Sequence, residues 1–288
     1  MTCSNLPDWE VDDIPLHGAL ASLGVDVETP CWDDPQVEWG RYEGCLIRTT
    51  WDYMEKRDDY VDWAERVGRT TPLFNPSSIV AWNTKKTYLR DLEERGAPTV
   101  PTVWIENGCS FSLREALRER EWKKAFLKPV IGATARETMR FDASDDEQVE
   151  EAERHLERMR GRGEDMMLQP YLDRVETEGE ISAIVIDGAI THTVRKIPVP
   201  GDYRVQDDFG ASDEPTTFSG TELGIVCEVL DSIEGDLLYA RADFLRDHEG
   251  KARLTELELV EPSLFFRHGP YAAERLAEAL CDRVRNGA

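Results

Sequence analysis

The residues best placed to do chemistry are three acids in two short apolar runs. Asp243 lies in Leu237 to Leu245, and Glu256 and Glu258 lie in Ala252 to Val260, with Glu249-Gly250 between the runs. Such runs around a Gly-containing turn predict a β-hairpin. Alternate residues of a strand face the same way. Ala240, Ala242 and Phe244 then share an apolar face, and Arg241 and Asp243 share the other. On the partner strand Thr255, Leu257 and Leu259 form one face, and Leu254, Glu256, Glu258 and Val260 form the other. Where the polar faces coincide, three carboxylates converge, repel one another and call for a cation. Oxygen ligands with no histidine or cysteine among them suit Mg²⁺ or Mn²⁺. The plain alternative is a solvated face, since a chain with 58 acids forms such clusters by chance.

Lysine is scarce, at 8 residues against 26 arginines. Lys128 ends the apolar run Ala125 to Val130 and precedes Pro129 and the loop Ile131 to Arg136. A lysine there can set its charge on a phosphate while loop amides cover the same anion. The alternative is a strand-end lysine whose ammonium reaches water. Lys85 and Lys86 follow Asn83-Thr84, and nothing local chooses between them. The common phosphate loop G-x-x-x-x-G-K-[ST] is absent. Arg48 and Asp52 follow the short apolar run Cys45 to Ile47, the place where open α/β sheets receive ligands. An ion pair that fixes a loop is the other reading of these two.

The elements that must position these groups read as α/β. A helix is predicted for Ile14 to Leu23, a short strand for Val25 to Val27, and a helix whose inner face is Tyr60, Trp63, Ala64 and Val67. Leu73-Phe74-Asn75-Pro76 breaks the chain, and a helix capped by Ser77 or Ser78 is expected to run to about Arg95. Residues 145–160 predict a helix with Val149, Ala152, Leu156 and Met159 inward. Its acidic first turns are a solvated face. Met166 to Leu172 reads as a strand. Glu180 to Ile186 and Ala189 to Ile197 flank Asp187-Gly188, a primed-turn pair, and predict a hairpin. A polar loop spans 200–220, a helix carries Leu223, Val226, Leu230 and Ile233, and a last helix covers about 270–285. The expected domains are 1–78, 79–168 and 169–288.

Composition excludes several classes. The chain has 288 residues and a formal charge of −24, which disfavours phosphate backbones and anionic membrane surfaces. Its hydrophobic fraction of 40% supports ordinary cores rather than an acidic disordered tail. No run is apolar enough to span a membrane and no leader is evident, so a cytoplasmic protein is expected. Six cysteines without a C-x-x-C pair predict reduced thiols and no zinc site. Excess acid with few lysines suggests adaptation to high salt; an ordinary acidic enzyme is the alternative.

Eight segments occur in an order that resembles the ATP-grasp superfamily in its glutathione-synthetase-like form, close to the ligases that include the cyclo-ligase of D-cycloserine biosynthesis. They are Ile47 to Tyr53, Phe74-Asn75-Pro76, Trp82 to Lys86, Leu127-Lys128-Pro129, Gln169 to Leu172, Glu178 to Ser182, Ala240 to Asp243, and Glu256 to Pro262. The resemblance implies an N-terminal Rossmann-like α/β domain and two α+β subdomains enclosing ATP. It implies that Lys86 and Lys128 contact phosphates and the adenine side, and that Gln169, Pro170, Tyr171 and Leu172 run beside the adenine. Glu180 lies near the sugar, and Gly132 to Arg136, including Thr134, close over the phosphates. Asp243, Glu256 and Glu258 match the metal ligands. Arg195, Lys196 and Arg204 match positions that hold the transferred phosphate and the substrate carboxylate, and Arg241 is counted with the catalytic cations; counter-ions for nearby acids are the alternative. Arg48, Thr49 and Asp52 would face the substrate. Two departures stand out: many relatives have Asn where Glu258 stands, and an acid where Lys85 precedes Lys86.

The implied reaction is Mg²⁺-dependent ATP activation of a small carboxylate, an amino-acid derivative, followed by attack of an amine-type nucleophile, intramolecular or not. An ATP-binding regulatory module without turnover is the competing class. A carboxylate-only hydrolase is disfavoured, because Glu256 and Glu258 lie side by side rather than across a substrate. A homodimer is a candidate assembly. His192 and His268 read as core or surface histidines.

Overall fold

The computed structural model describes residues 1–4, 6, 11–132, 135–206, 209–269 and 271–287. In the N-terminal region, helix α1 (Ile14–Ser22) precedes strand β1 (Cys45–Leu46), helix α2 (Arg57–Gly68) and strand β2 (Leu73–Phe74). β1 and β2 pair in parallel, Cys45 with Leu73 and Leu46 with Phe74. The predicted inner face of α2, Tyr60, Trp63, Ala64 and Val67, is buried and packs with Trp32 and Tyr53. The strand expected at Val25 to Val27 does not form: the segment finds no ladder partner and only packs its valines against the core.

The helix expected from Ser77 to Arg95 is two helices, α3 (Ser77–Asn83) and α4 (Tyr88–Glu94). Neither serine caps it, because Pro76 occupies the cap position. The break has a tertiary cause. The Asn83 amide bonds the main chain of Leu257 and Leu259 at 2.8 and 2.7 Å. The Lys86 N–H donates to Val130 O at 2.9 Å instead of to a helical carbonyl.

Two antiparallel sheets follow. The first has the order β3-β6-β4-β5, with β3 (Val103–Ile105), β4 (Lys124–Pro129), β5 (Met139–Asp142) and β6 (Met166–Pro170). Helices α5 (Leu113–Arg120) and α6 (Asp146–Gly161) cover one face, burying Ala125, Leu127, Met166 and Leu168. Alternation therefore turns Phe126, Lys128, Met167 and Gln169 to the other face. Asp145 caps α6, accepting from the Glu147 and Gln148 amides.

The second sheet has five strands in the order β11-β10-β7-β8-β9. Its members are β7 (Glu180–Ile186), β8 (Ala189–Ile197), β9 (Ser212–Pro215), β10 (Tyr239–Arg246) and β11 (Ala252–Glu258). Asp187 and Gly188 both take positive φ, 50° and 70°, as a primed turn requires. Helix α7 (Val175–Glu178) precedes the sheet. Gly179 links them with φ +74° where a Cβ would lie 2.3 Å from Lys196 O, so only glycine fits. The loop 200–220 is not wholly irregular: β9 adds an edge strand, with Lys196 opposite Asp213. Helix α8 (Gly220–Asp231) starts at a capping box between Ser219 and Glu222, an arrangement worth about 1 kcal/mol. Helix α8, with α4, packs against Ala183, Val185, Ala240 and Ala242 on one face of the sheet. On the other face, α1 and helix α9 (Ala272–Asn286) cover only the half bearing Ile184, Ile186 and Tyr239. The other half of that face, with Glu180, Ser182, Lys196, Asp243 and Glu256, remains polar and floors a cleft against the first sheet.

Candidate functional site

The hairpin of β10 and β11 brings its acids together as its alternation requires. Asp243 lies opposite Glu256 and Arg241 opposite Glu258. One oxygen each from Asp243, Glu256 and Glu258 comes within 4.8 Å of the others. A bulge at Thr255 changes one expectation: Leu254 pairs with Phe244 and is buried in the apolar core, not beside Glu256. The edge of β11 is held by side chains the sequence reading did not single out. Asn83 bonds Leu257 and Leu259, the Tyr88 hydroxyl accepts from Leu257 N at 3.0 Å, and Asn75 donates to Leu259 O at 2.7 Å. Pairing by side chains both satisfies an edge strand and fixes Glu256 and Glu258 between the clamped residues. The available signal was local: Asn75 and Asn83 stand at helix boundaries inside the quoted segments.

Each of the three acids touches a cation. Arg241 makes a two-pronged contact to Asp243, at 3.0 and 2.9 Å, and also meets Glu258. Lys196 bridges Asp243, at 3.2 Å, and Glu180. Lys86 pairs with Glu256. Burial opposes the charge on Asp243, yet Arg241, Lys196 and a 2.6 Å bond from Ser182 hold its carboxyl well below the usual range. Burial and its acidic neighbours push Glu258 up to about 7 against the pull of Arg241. Burial likewise opposes Glu256, but Lys86 and Lys128 keep it low. An all-oxygen donor set with one acid held near 7 fits a hard divalent cation, which would favour the ionised form.

The two lysines left open in the sequence diverge. Lys85 turns away to Asp165 at 3.0 Å, and Lys86 points into the cleft. Lys128 reaches the same cleft. Burial and the nearby Lys86 lower it to about 8, and among the described residues no acid pairs with it. Phe126 lies 5.6 Å from its ammonium.

The cleft has two lobes that meet at Lys86, Gly132, Glu180 and Glu256. One, of about 940 Å³, lies between the sheets and is lined by Phe126, Lys128, Gln169, Pro170, Tyr171 and Leu172. The Gln169 amide is held by Thr102 at 2.8 Å. Arg136 and Arg204 border this lobe, tied to Glu164 at 2.7 Å and to Asp202 at 2.6 Å. Thr134 lies outside the described residues. The second lobe, of about 1280 Å³, holds Lys196, Arg241 and the three acids, with Trp51, Tyr53, Glu261 and Phe265.

Arg48, Thr49 and Asp52 do not line either lobe. Arg48 is buried, its guanidinium bound to Asp13 at 2.8 and 2.9 Å and to Pro262 O at 3.0 Å. It forms an ion pair that fixes a loop, but with Asp13 rather than Asp52. Asp52 accepts from the Trp32 indole at 2.7 Å, and Thr49 donates to Thr2. Their neighbours Trp51 and Tyr53 are the ones that reach the cleft. His192 is bonded to main-chain carbonyls and His268 to Asp213.

Comparison with known proteins gives two family matches. Residues 1–75 match the N-terminal domain of D-cycloserine synthetase DcsG. Residues 109–263, more than half of the chain, match the ATP-grasp domain of prokaryotic glutathione synthetase. The cycloserine biosynthesis protein DcsG of Streptomyces lavendulae is 29% identical over 289 residues, spanning 96% of this chain and 95% of that protein. Glutathione synthetase of Prochlorococcus marinus (strain MIT 9313) is 28% identical over 170 residues, 59% of this chain and 51% of the relative. The crystal structure of D-cycloserine synthetase DcsG matches with a TM-score of 0.85 at 28% identity, over 95% of each chain. The ATP-grasp ligase PsnB, solved with a minimal precursor, Mg and ADP, shares the fold with a TM-score of 0.63 at 18% identity, over 99% of this chain and 97% of its own. Among the described residues, no helix is long and apolar enough to cross a membrane.

Proposed function

This chain belongs to the ATP-grasp family of prokaryotic glutathione synthetases and is an ATP-dependent ligase, and we propose that it activates a small carboxylate, an amino-acid derivative, as an acyl phosphate. The observation that carries this reading is the meeting of the two lobes at the Lys86–Glu256 pair. One lobe offers apolar walls and the Lys128 ammonium, which no acid pairs among the described residues. The other offers oxygen donors and cations beside them.

In this reading Phe126 and the segment Gln169 to Leu172 hold the adenine, and Lys128 and Lys86 hold the phosphates. Gly132, Ala135 and Arg136, which line this lobe, cover the phosphates and keep water from the activated acid. Asp243, Glu256 and Glu258 are the residues that would hold Mg²⁺. The chemistry such an ion would supply there is positive charge that offsets the repulsion between phosphate and carboxylate. Lys196, Arg241 and Arg204 neutralise the charge that grows on the phosphoryl oxygens during transfer, which requires them to loosen from their present acids. The substrate carboxylate oxygen bonds to the γ-phosphorus as the bond to ADP breaks. The nucleophile then bonds to the acyl carbon and phosphate leaves. No protein nucleophile is needed.

The test is ADP release with Mg²⁺, ATP and a panel of amino acids and derivatives. Stimulation by an acid, lost in Glu256→Gln, supports the reading. ATP binding without turnover on any acid would leave the regulatory module as the reading that stands.

A further inference from the structure

Five acids face the junction and the second lobe: Glu180, Asp243, Glu256, Glu258 and Glu261. Four of them touch a lysine or arginine: Glu180 and Asp243 meet Lys196, Glu256 meets Lys86, and Glu258 meets Arg241. Glu261 is the exception among the described residues, although it is only 9% exposed. Among the described residues it makes no ion pair; the Tyr53 hydroxyl bonds it, and Lys86, already paired with Glu256, acts on it only from a distance. A carboxylate withheld from water without a cation is destabilising. Burial, with Glu258 and Glu256 nearby, pushes Glu261 up to about 8 against the pull of Lys86.

The chain holds this acid in place. Trp51 donates its indole N–H to Glu261 O at 3.0 Å, and buried Arg48 donates to the next carbonyl, Pro262 O, at 3.0 Å. The position is therefore built, not a loop that drifted inward.

We propose that Glu261 is a specificity-determining residue that binds a positively charged amine of the carboxylic-acid substrate. The proposal deepens, and rests on, the ligase reading above. Glu261 is not one of the three acids whose ligand oxygens cluster within 4.8 Å, so a cation shared by that trio is not its partner. The lobe that Glu261 lines also carries the aromatic rings of Trp51, Tyr53 and Phe265, which suit an organic cation. The same lobe carries Lys196 and Arg241, which suit the acid group of the same molecule. One lobe with both signs of charge matches an amino acid rather than a simple acid.

The experiment measures ADP release, with saturating Mg²⁺ and ATP, for the wild type, Glu261→Gln and Glu261→Asp. The probes are the common α-amino acids in both enantiomers, each matched with its 2-hydroxy counterpart. In the wild type the amino member is expected to show kcat/KM about tenfold or more above its hydroxy partner. In Glu261→Gln that preference falls to within about threefold through KM, while Glu261→Asp retains most of it. The KM for ATP stays the same in all three, which shows an intact nucleotide lobe. A preference that survives in Glu261→Gln, hydroxy acids equal to amino acids in the wild type, or a defect seen only as a raised magnesium requirement would each overturn the assignment of Glu261 while leaving ligation intact. No ADP release with any acid contradicts the ligase reading and removes the assignment with it.

Discussion

The two lobes of the cleft fail to balance their charges in opposite directions. Between the sheets, Lys128 is a cation without an acid among the described residues. In the lobe lined by Trp51, Glu261 is an acid with no ion-pair partner among the described residues. At the junction, Lys86 and Glu256 satisfy each other. A folded chain gains nothing from isolated buried charges, so both imbalances point outward, to what each lobe receives: an anion in one and a cation in the other.

The largest effect is expected where the acid lobe is supported. Arg48→Ala strands the buried Asp13 and frees Pro262 O, and should cost about 3–5 kcal/mol in denaturant unfolding. The KM for ATP of the protein that remains folded should not change. A matching rise in that KM would mean the lobes are not separate.

Next come the charges that meet the nucleotide. Lys128→Met and Glu256→Gln should each lower ADP release about 10²–10³-fold. Circular dichroism should report an unchanged fold.

Glu261→Gln should stabilise the protein itself. The Glu261 carboxyl is held at about 8, above its ordinary value of 4.5, so the folded state keeps a proton that the unfolded state gives up. Stability is therefore lost as pH rises through that window, and Gln, which does not titrate, avoids the loss. The variant should gain about 2 kcal/mol at pH 8.5, read as a higher Tm, with the gap narrowing toward pH 5.5. A constant gap would show that Glu261 does not titrate there.

The smallest effect concerns the Lys128 ammonium. Lys128 is lowered to about 8 from 10.5, so it loses its charge as pH passes 8. The KM for ATP should rise up to about tenfold between pH 7.5 and pH 9.5, and Lys128→Met should abolish that slope.

Much of this contrast was legible in the residues. The Asp187-Gly188 turn, the inward face of α6 and the convergence of Asp243, Glu256 and Glu258 all follow from alternation and turn chemistry. What was not legible depends on contacts far along the chain. Arg48 looked free to meet a ligand because its partner, Asp13, is 35 residues away. The helix after Ser77 breaks because Asn83 is drawn to β11, 174 residues on, which no local propensity encodes. Which of Lys85 and Lys86 enters the cleft depends on Asp165, which holds Lys85 away from it. Leu254 changed face because one extra residue, Thr255, bulges from its strand. Glu261 went unread because its meaning lies in a missing partner, and only packing reveals that.

The central claim is that a carboxylate oxygen attacks the γ-phosphoryl group of ATP in this cleft. Its most direct test uses the acid that best stimulates ADP release, labelled with ¹⁸O in its carboxyl group, and follows the label into inorganic phosphate by mass spectrometry. The account predicts one labelled oxygen in phosphate for each ADP formed. ADP release that leaves the phosphate unlabelled would contradict it.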